Sequence, residues 1–238
     1  MKKFFLMAVA AITISNVQAQ LFYAQGGVNF ANITKNNAGE TSDYNMLTTF
    51  NGGFMGRFGI SKIFDLETGL QFTGRGSKTE TYFSGDVDDN FIKSKFNPYY
   101  IELPVNAVIK FPFNTKGTNS FFVHAGPYVA VGIGGKSKIE TKFIGITSTS
   151  SETIQFNDDD PSTSEQEDAA YNKLKRFDFG ANFGAGVDLG SVILKANYGL
   201  GLTKINSTET NNNDNDKNKY RTLSISVGIP LGRLTFEQ

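Results

Sequence analysis

The chain has 238 residues, with 23 Lys and Arg against 23 Asp and Glu, one His and no Cys. The absence of Cys excludes disulfides and thiolate metal sites, and the balanced charge offers no basic footprint for nucleic acid. A length of this order suits one β-domain.

Residues 1–19 read as a signal peptide. Lys2 and Lys3 precede an apolar run from Phe4 to Ile14, and Val17-Gln18-Ala19 supplies a small-x-small cleavage pattern. The run is too short for a membrane helix, which needs roughly 20 residues. Cleavage is expected to leave 20–238, with 21 basic and 23 acidic residues and a net charge of −2. No Cys follows the cleavage site, which excludes a lipoprotein anchor.

Downstream, no stretch approaches 18 consecutive apolar residues, which argues against a helical membrane protein but not against a barrel. What recurs instead is a period of two. The first five strands are predicted at about 21–33, 50–62, 66–80, 97–111 and 120–136. The sixth runs from Phe177 to Leu189, with Phe177, Phe179, Ala181 and Phe183 on one face and Asp178, Gly180, Asn182 and Gly184 on the other. The seventh sets Leu194, Ala196 and Tyr198 against Lys195, Asn197 and Gly199. The eighth sets Leu223, Ile225, Val227 and Ile229 against Ser224, Ser226 and Gly228.

The connections alternate in length. Those at 63–65, 112–119 and 189–191 are short, whereas 34–48, 81–96, 137–172 and 205–219 are long and rich in Asn, Asp, Ser, Thr and Gly. Short periplasmic turns alternating with long extracellular loops are what an outer-membrane barrel requires. The fold expected is therefore all-β, an eight-stranded antiparallel up-and-down transmembrane barrel over 20–238. A soluble barrel of equal strand number would bury Asp178 and Lys195 in a dry core and expose Phe177, Phe179 and Phe183 to water. Lipid outside and polar groups inside remove both conflicts. Pro104, Pro127 and Pro230 fall within these strands, so bulges or strand ends are expected there.

Four motifs in order carry a resemblance: Tyr99-Tyr100-Ile101-Glu102-Leu103-Pro104 followed by Val105 to Phe111; Ala125-Gly126-Pro127-Tyr128; Phe177-Asp178-Phe179-Gly180 with Gly184-Ala185-Gly186; and Tyr198-Gly199-Leu200-Gly201-Leu202. Together the sequence resembles the PorT-like outer-membrane β-barrel family of Bacteroidetes, which is similar in fold to small OmpA-type barrels. The resemblance implies an outer-membrane location. It also implies, for some members, a place in a secretion and gliding apparatus.

The strand phases turn Arg57, Arg75, Lys110 and Lys195 inward together with Glu67, Glu102, Asp178 and Asp188. An eight-stranded barrel is only just wide enough to be filled by side chains, so a salt-bridged plug is expected rather than an open pore. The glycine-lined faces of the sixth and seventh strands are expected to make room for Arg57, Arg75 and Tyr128 from across the lumen. Lys78, Lys173, Lys175, Lys204 and Arg221 have outward phase at the loop ends of their strands. They are expected to meet lipopolysaccharide phosphates beside the surrounding lipid, and the loops are expected to meet envelope proteins. Asp158-Asp159-Asp160, with Glu165, Glu167 and Asp168, matches no calcium loop and reads as a solvated acidic segment. His124 lacks a nucleophile or carboxylate placed by the sequence, so neither catalysis nor a cofactor is expected.

Overall fold

The computed structural model describes residues 19–37, 40–43, 45–83, 90–113, 119–158, 173–207 and 218–235. Nearly all of residues 1–19 and most of the acidic segment, Asp159 to Asp168, lie outside them. The strands are β1 (Ala19–Asn37), β2 (Glu40–Asp43), β3 (Leu47–Gly59), β4 (Phe64–Gly74), β5 (Ser77–Tyr82), β6 (Phe91–Pro112), β7 (Ser120–Phe143), β8 (Ile146–Thr153), β9 (Gln155–Phe156), β10 (Lys173–Leu174), β11 (Phe177–Asp188), β12 (Ile193–Gly201) and β13 (Lys219–Thr235).

Eight of these close a circuit of antiparallel pairs, β1–β3–β4–β6–β7–β11–β12–β13, with β13 returning to β1. Closure leaves no open edge strand in the wall, which is what lets β-structure cross lipid. The faces alternate as the period of two requires. Phe54, Leu70, Phe121, Ile225 and Ile229 are exposed outward, while Asn29, Glu67, Asn106 and Asp178 are buried inside. At the end where β1 begins, tight turns join the strands. The Ser61 hydroxyl accepts from the Phe64 amide at 3.1 Å, and Asp188 accepts from Gly190 N at 2.8 Å.

The opposite end departs from the expectation of plain loops. β6 and β7 extend well past the lipid-facing residues, and β5 and β8 flank them, forming a four-stranded outer sheet, β5–β6–β7–β8. Much of 81–96 and the first half of 137–172 is thus ordered strand. The β7–β8 turn, Ile144-Gly145, has positive φ at both positions (47° and 74°), and the Ile144 amide donates to Asn90 at 2.9 Å. Polar Ser and Thr residues form these strands because β-branching and main-chain pairing, not burial, hold them. At 34–48, β1 continues to Asn37 and pairs with β2. Within the last long connection, 208–217 lies outside the described residues.

The third predicted strand is broken in two at Gly76, which has φ +120°. A Cβ there would stand 1.9 Å from the Phe96 carbonyl oxygen, so only glycine fits. The prolines are accommodated in two ways. A bulge beside Pro230 shifts the β1–β13 register, since Phe22 faces Gly232 and Tyr23 faces Pro230. At Pro104 and Pro127 no bulge forms: pairing between β6 and β7 lapses between Pro104↔Tyr128 and Ala107↔Ala125 and resumes in the same register. The Thr68 hydroxyl donates to the Pro104 carbonyl at 2.7 Å, tying the gap on the β4 side.

Candidate functional site

The interior charges gather in three groups. Nearest the tight turns, Lys110 Nζ lies 2.7 Å from Asp65. The second group centres on Glu67, which is fully buried. One of its oxygens accepts from Arg57 at 2.8 Å and from the Tyr23 hydroxyl at 2.8 Å; the other accepts from Lys195 at 2.5 Å and Asn106 at 3.4 Å. Arg57 and Glu67 are direct partners across β3 and β4. The Arg57 guanidinium also stands 4.3 Å from the Phe122 ring and 3.9 Å from Asp188.

The third group centres on Arg75, which follows β4 and is turned inward at the Gly76 break. It pairs with Glu102 at 2.6 Å and with Asp178. The Tyr128 hydroxyl donates to Asp178 at 2.8 Å, and Thr203 donates to the same carboxylate. Rings of Tyr100, Tyr128 and Tyr220 surround the guanidinium at 5.0, 4.7 and 5.6 Å. A polar chain leads from Glu102 of the third group to His124. His124 shares a hydrogen bond of 2.9 Å with Asn197, Asn197 donates to Asn182 at 3.2 Å, and Asn182 donates to Glu102 at 2.9 Å. Voids of about 20 and 10 Å³ lie beside this network. The larger has room for one water molecule, since a water needs about 10–15 Å³ by this measure.

Glycines on β11 shape the lumen differently from the sequence expectation. Gly180, Gly184 and Gly186 face Tyr128, His124 and Phe122 of the neighbouring strand β7. A Cβ on these glycines would fall 2.4, 2.6 and 2.3 Å from those rings. The room is therefore taken by aromatic side chains from the adjacent strand rather than by arginines from across the barrel.

Above Arg75, residues from the long connections fold over the mouth. Ile154, Phe156, Leu174 and Ile205 pack on Ile33, Tyr100, Tyr128 and Tyr220 in one apolar cluster. The short parallel pair β9–β10 carries two of these toward it, since Leu174 and Phe156 are partners in register. Gly132 permits this approach, because a Cβ there would meet the Phe156 ring at 2.2 Å. Outside the cluster, a cavity of about 420 Å³ opens among Ser77, Ser94, Phe96, Ser137, Thr153 and Asn206.

The five cations read as one rim occupy two places. Lys175, Lys204 and Arg221 stand at the outer ends of β11, β12 and β13, where Lys175 N donates to the Ile205 carbonyl at 2.9 Å and Leu200 faces Arg221. Lys173 lies on β10 beside Gln155. Arg221 donates to the Gly201 carbonyl at 3.0 Å. Lys78 belongs elsewhere, on β5 of the outer sheet, 3.3 Å from Glu80. The Tyr82 hydroxyl donates to Glu80 at 3.0 Å and, with Lys78, holds that carboxyl below its usual range. Asp158 pairs with Arg176 at 2.5 Å.

Several residues escaped the sequence reading. Asp65 shares the phase of Glu67 two residues away, a signal sufficient to have placed it inside. Tyr100 likewise shares the phase of Glu102, whereas Tyr23 and Tyr220 have no inward charge two residues away, and a tyrosine suits the lipid interface and the lumen equally.

A family model described as outer membrane protein beta-barrel domain matches residues 18–207. Among solved structures, the chain is similar to Ail, the attachment invasion locus protein of Yersinia pestis, at 13% identity. That match covers 91% of this chain and 99% of Ail, with a TM-score of 0.41. Neisserial surface protein A is similar at 14% identity, covering 90% of this chain and 97% of that one, with a TM-score of 0.37. The translocator domain of the autotransporter NalP from Neisseria meningitidis matches at 12% identity, 96% and 94% coverage and a TM-score of 0.29. No curated protein matches the sequence.

Proposed function

Because the chain belongs to the outer membrane protein β-barrel domain family, we propose that it is a non-conducting, non-catalytic outer-membrane barrel that acts as an interaction component of the envelope through its extracellular parts. The observation that carries this reading is the stack of buried Glu67 and Arg75 ion groups, with Asn182 bound to Glu102 and Asn197 to Asn182, roofed by the Phe156 cluster. A conducting lumen needs a continuous wet path, and every charge in this stack is engaged by partners that span the bore. Removing Glu67 leaves Lys195 without a counter-ion among the described residues, and removing Arg75 leaves Glu102 and Asp178 without one. His124 fits the non-catalytic reading in that its Nε2 meets an amide, Asn197, rather than a nucleophile or a carboxylate.

The outer sheet and the apolar cap are the surfaces offered to other molecules. The resemblance to PorT-like barrels favours a protein partner in an envelope complex, while Lys173, Lys175, Lys204 and Arg221 suit lipopolysaccharide phosphates at the β11–β13 rim. Planar-bilayer conductance of the refolded chain, beside Arg57→Ala and Arg75→Ala, tests the closed lumen. The parent is expected to be silent and the variants to leak. Reproducible unitary steps from the parent would establish a small-solute channel instead. Cross-linking and co-purification from envelopes test the partner arm, and recovery of no envelope protein would remove it.

A further inference from the structure

The outer sheet carries a row of like charges beside a mixed rank, Glu80, Lys93 and Glu140, on the same face. Lys78 on β5, Lys95 on β6 and Lys138 on β7 stand directly opposite one another in register. Directly paired residues share a face, so three ammonium groups form a row about 10 Å wide on adjacent strands. Like charges placed this way oppose strand pairing. Edge protection, the ordinary reason for a strand lysine, accounts only for Lys78, because Lys95 and Lys138 lie on strands paired on both sides. Glu80 and Glu140 lean toward the flanking members, 3.3 Å from Lys78 and 3.4 Å from Lys138. Among the described residues no carboxylate pairs with Lys95. Lys136, on the same face of β7 and opposite Asn97, adds a fourth cation closer to the membrane.

The row has a defined height. Tyr99, two residues past Asn97 on the same face, packs on Phe72 at 5.3 Å and Phe50 at 6.2 Å, at the outer end of the lipid-facing surface. From Tyr99 to Lys95 the strand advances about 13 Å. Strand tilt shortens the vertical rise, and lysine stems extend toward polar ground at an interface. The ammonium groups therefore stand beyond the aromatic belt, on its headgroup side.

We infer that Lys78, Lys95, Lys138 and Lys136 bind the phosphates of lipopolysaccharide in the leaflet around the barrel. The inference rests on the outer-membrane reading and deepens it, naming a lipid contact on the β5–β7 wall separate from the β11–β13 rim. One phosphate accepts charge-assisted hydrogen bonds from several ammonium groups and cancels the repulsion within the row. A soluble polyanion would supply the same charge, but the row continues the lipid-facing surface rather than the mouth, which favours the lipid.

The test uses the full chain refolded in neutral detergent and titrated with intact lipopolysaccharide, with the same lipopolysaccharide after dephosphorylation, and with heparin. Replacing Lys78, Lys95 and Lys138 together by Gln is expected to weaken binding of the intact lipid at least tenfold, and Lys95→Gln alone severalfold. Neither change is expected to alter binding of the dephosphorylated lipid. Retained heat-modified gel mobility certifies the barrel in each variant, and the single variant carries the test where the triple one fails to fold. Unchanged binding of intact lipopolysaccharide by a folded variant overturns the inference, as does loss of heparin binding alone, which would assign the row to a soluble polyanion. A parent chain that does not enter lipid vesicles overturns the membrane reading itself.

Discussion

Arg57 and Glu67 face each other across β3 and β4, 2.8 Å apart, with both side chains shut off from solvent. The pair is not isolated, because Lys195 approaches the second Glu67 oxygen from β12, across the lumen. One carboxylate thus compensates two cations carried by strands that are not neighbours in the wall. Replacing Glu67 by Gln keeps the shape and removes the charge. Breaking a buried ion pair costs about 3–5 kcal/mol. Glu67→Gln is expected to lower the urea midpoint of the refolded barrel accordingly, read by heat-modified gel mobility. An unchanged midpoint would mean that the group does not stabilise the wall.

Arg75 bridges Glu102 on β6 and Asp178 on β11 with two arms of one planar group. Lysine keeps the charge but has one compact ammonium head, which cannot hold both carboxylates in that geometry. Arg75→Lys is therefore expected to leak in planar bilayers nearly as Arg75→Ala does. Silence from Arg75→Lys with leakage from Arg75→Ala would show that charge alone closes the lumen at this level.

Gly180 and Gly232 separate steric need from strand preference. A Cβ at Gly180 would stand 2.3 Å from the Leu200 carbonyl and 2.4 Å from the Tyr128 ring, whereas at Gly232 nothing lies within 4 Å. Gly180→Ala is expected to cost about 1–3 kcal/mol through overpacking, and Gly232→Ala close to nothing. Equal urea midpoints for the two variants would contradict the packing of Tyr128 against β11.

Phe156 seals the apolar cluster above Arg75, edge-on to Tyr100 at 5.5 Å. Phe156→Ala removes that seal but touches neither ion group. The Gly132 amide, which donates to the Arg176 carbonyl at 2.7 Å, is expected to exchange its hydrogen faster, while the melting midpoint of the barrel barely moves. A large fall in that midpoint would mean that the cap and the barrel unfold as one unit.

The barrel itself was legible in the chain because lipid and a wet lumen impose opposite demands on alternate residues. Phe179 and Phe183 could only face out, and Asp178 and Asn182 only in, so strand number and the inward set, Arg57, Glu67, Arg75, Glu102, Lys110, Asp178, Asp188 and Lys195, follow from a period of two. Above the membrane that contrast disappears. Ser, Thr and Lys residues of β5, β6, β7 and β8 face water on either side, so composition reads as loop where main-chain pairing makes strand. Which inward charge meets which was beyond the sequence for another reason. Phase assigns a face, but the partner of Glu67 at Lys195, of Arg75 at Asp178, and of Lys78 at Lys95 depends on register and closure, which only the folded wall brings together.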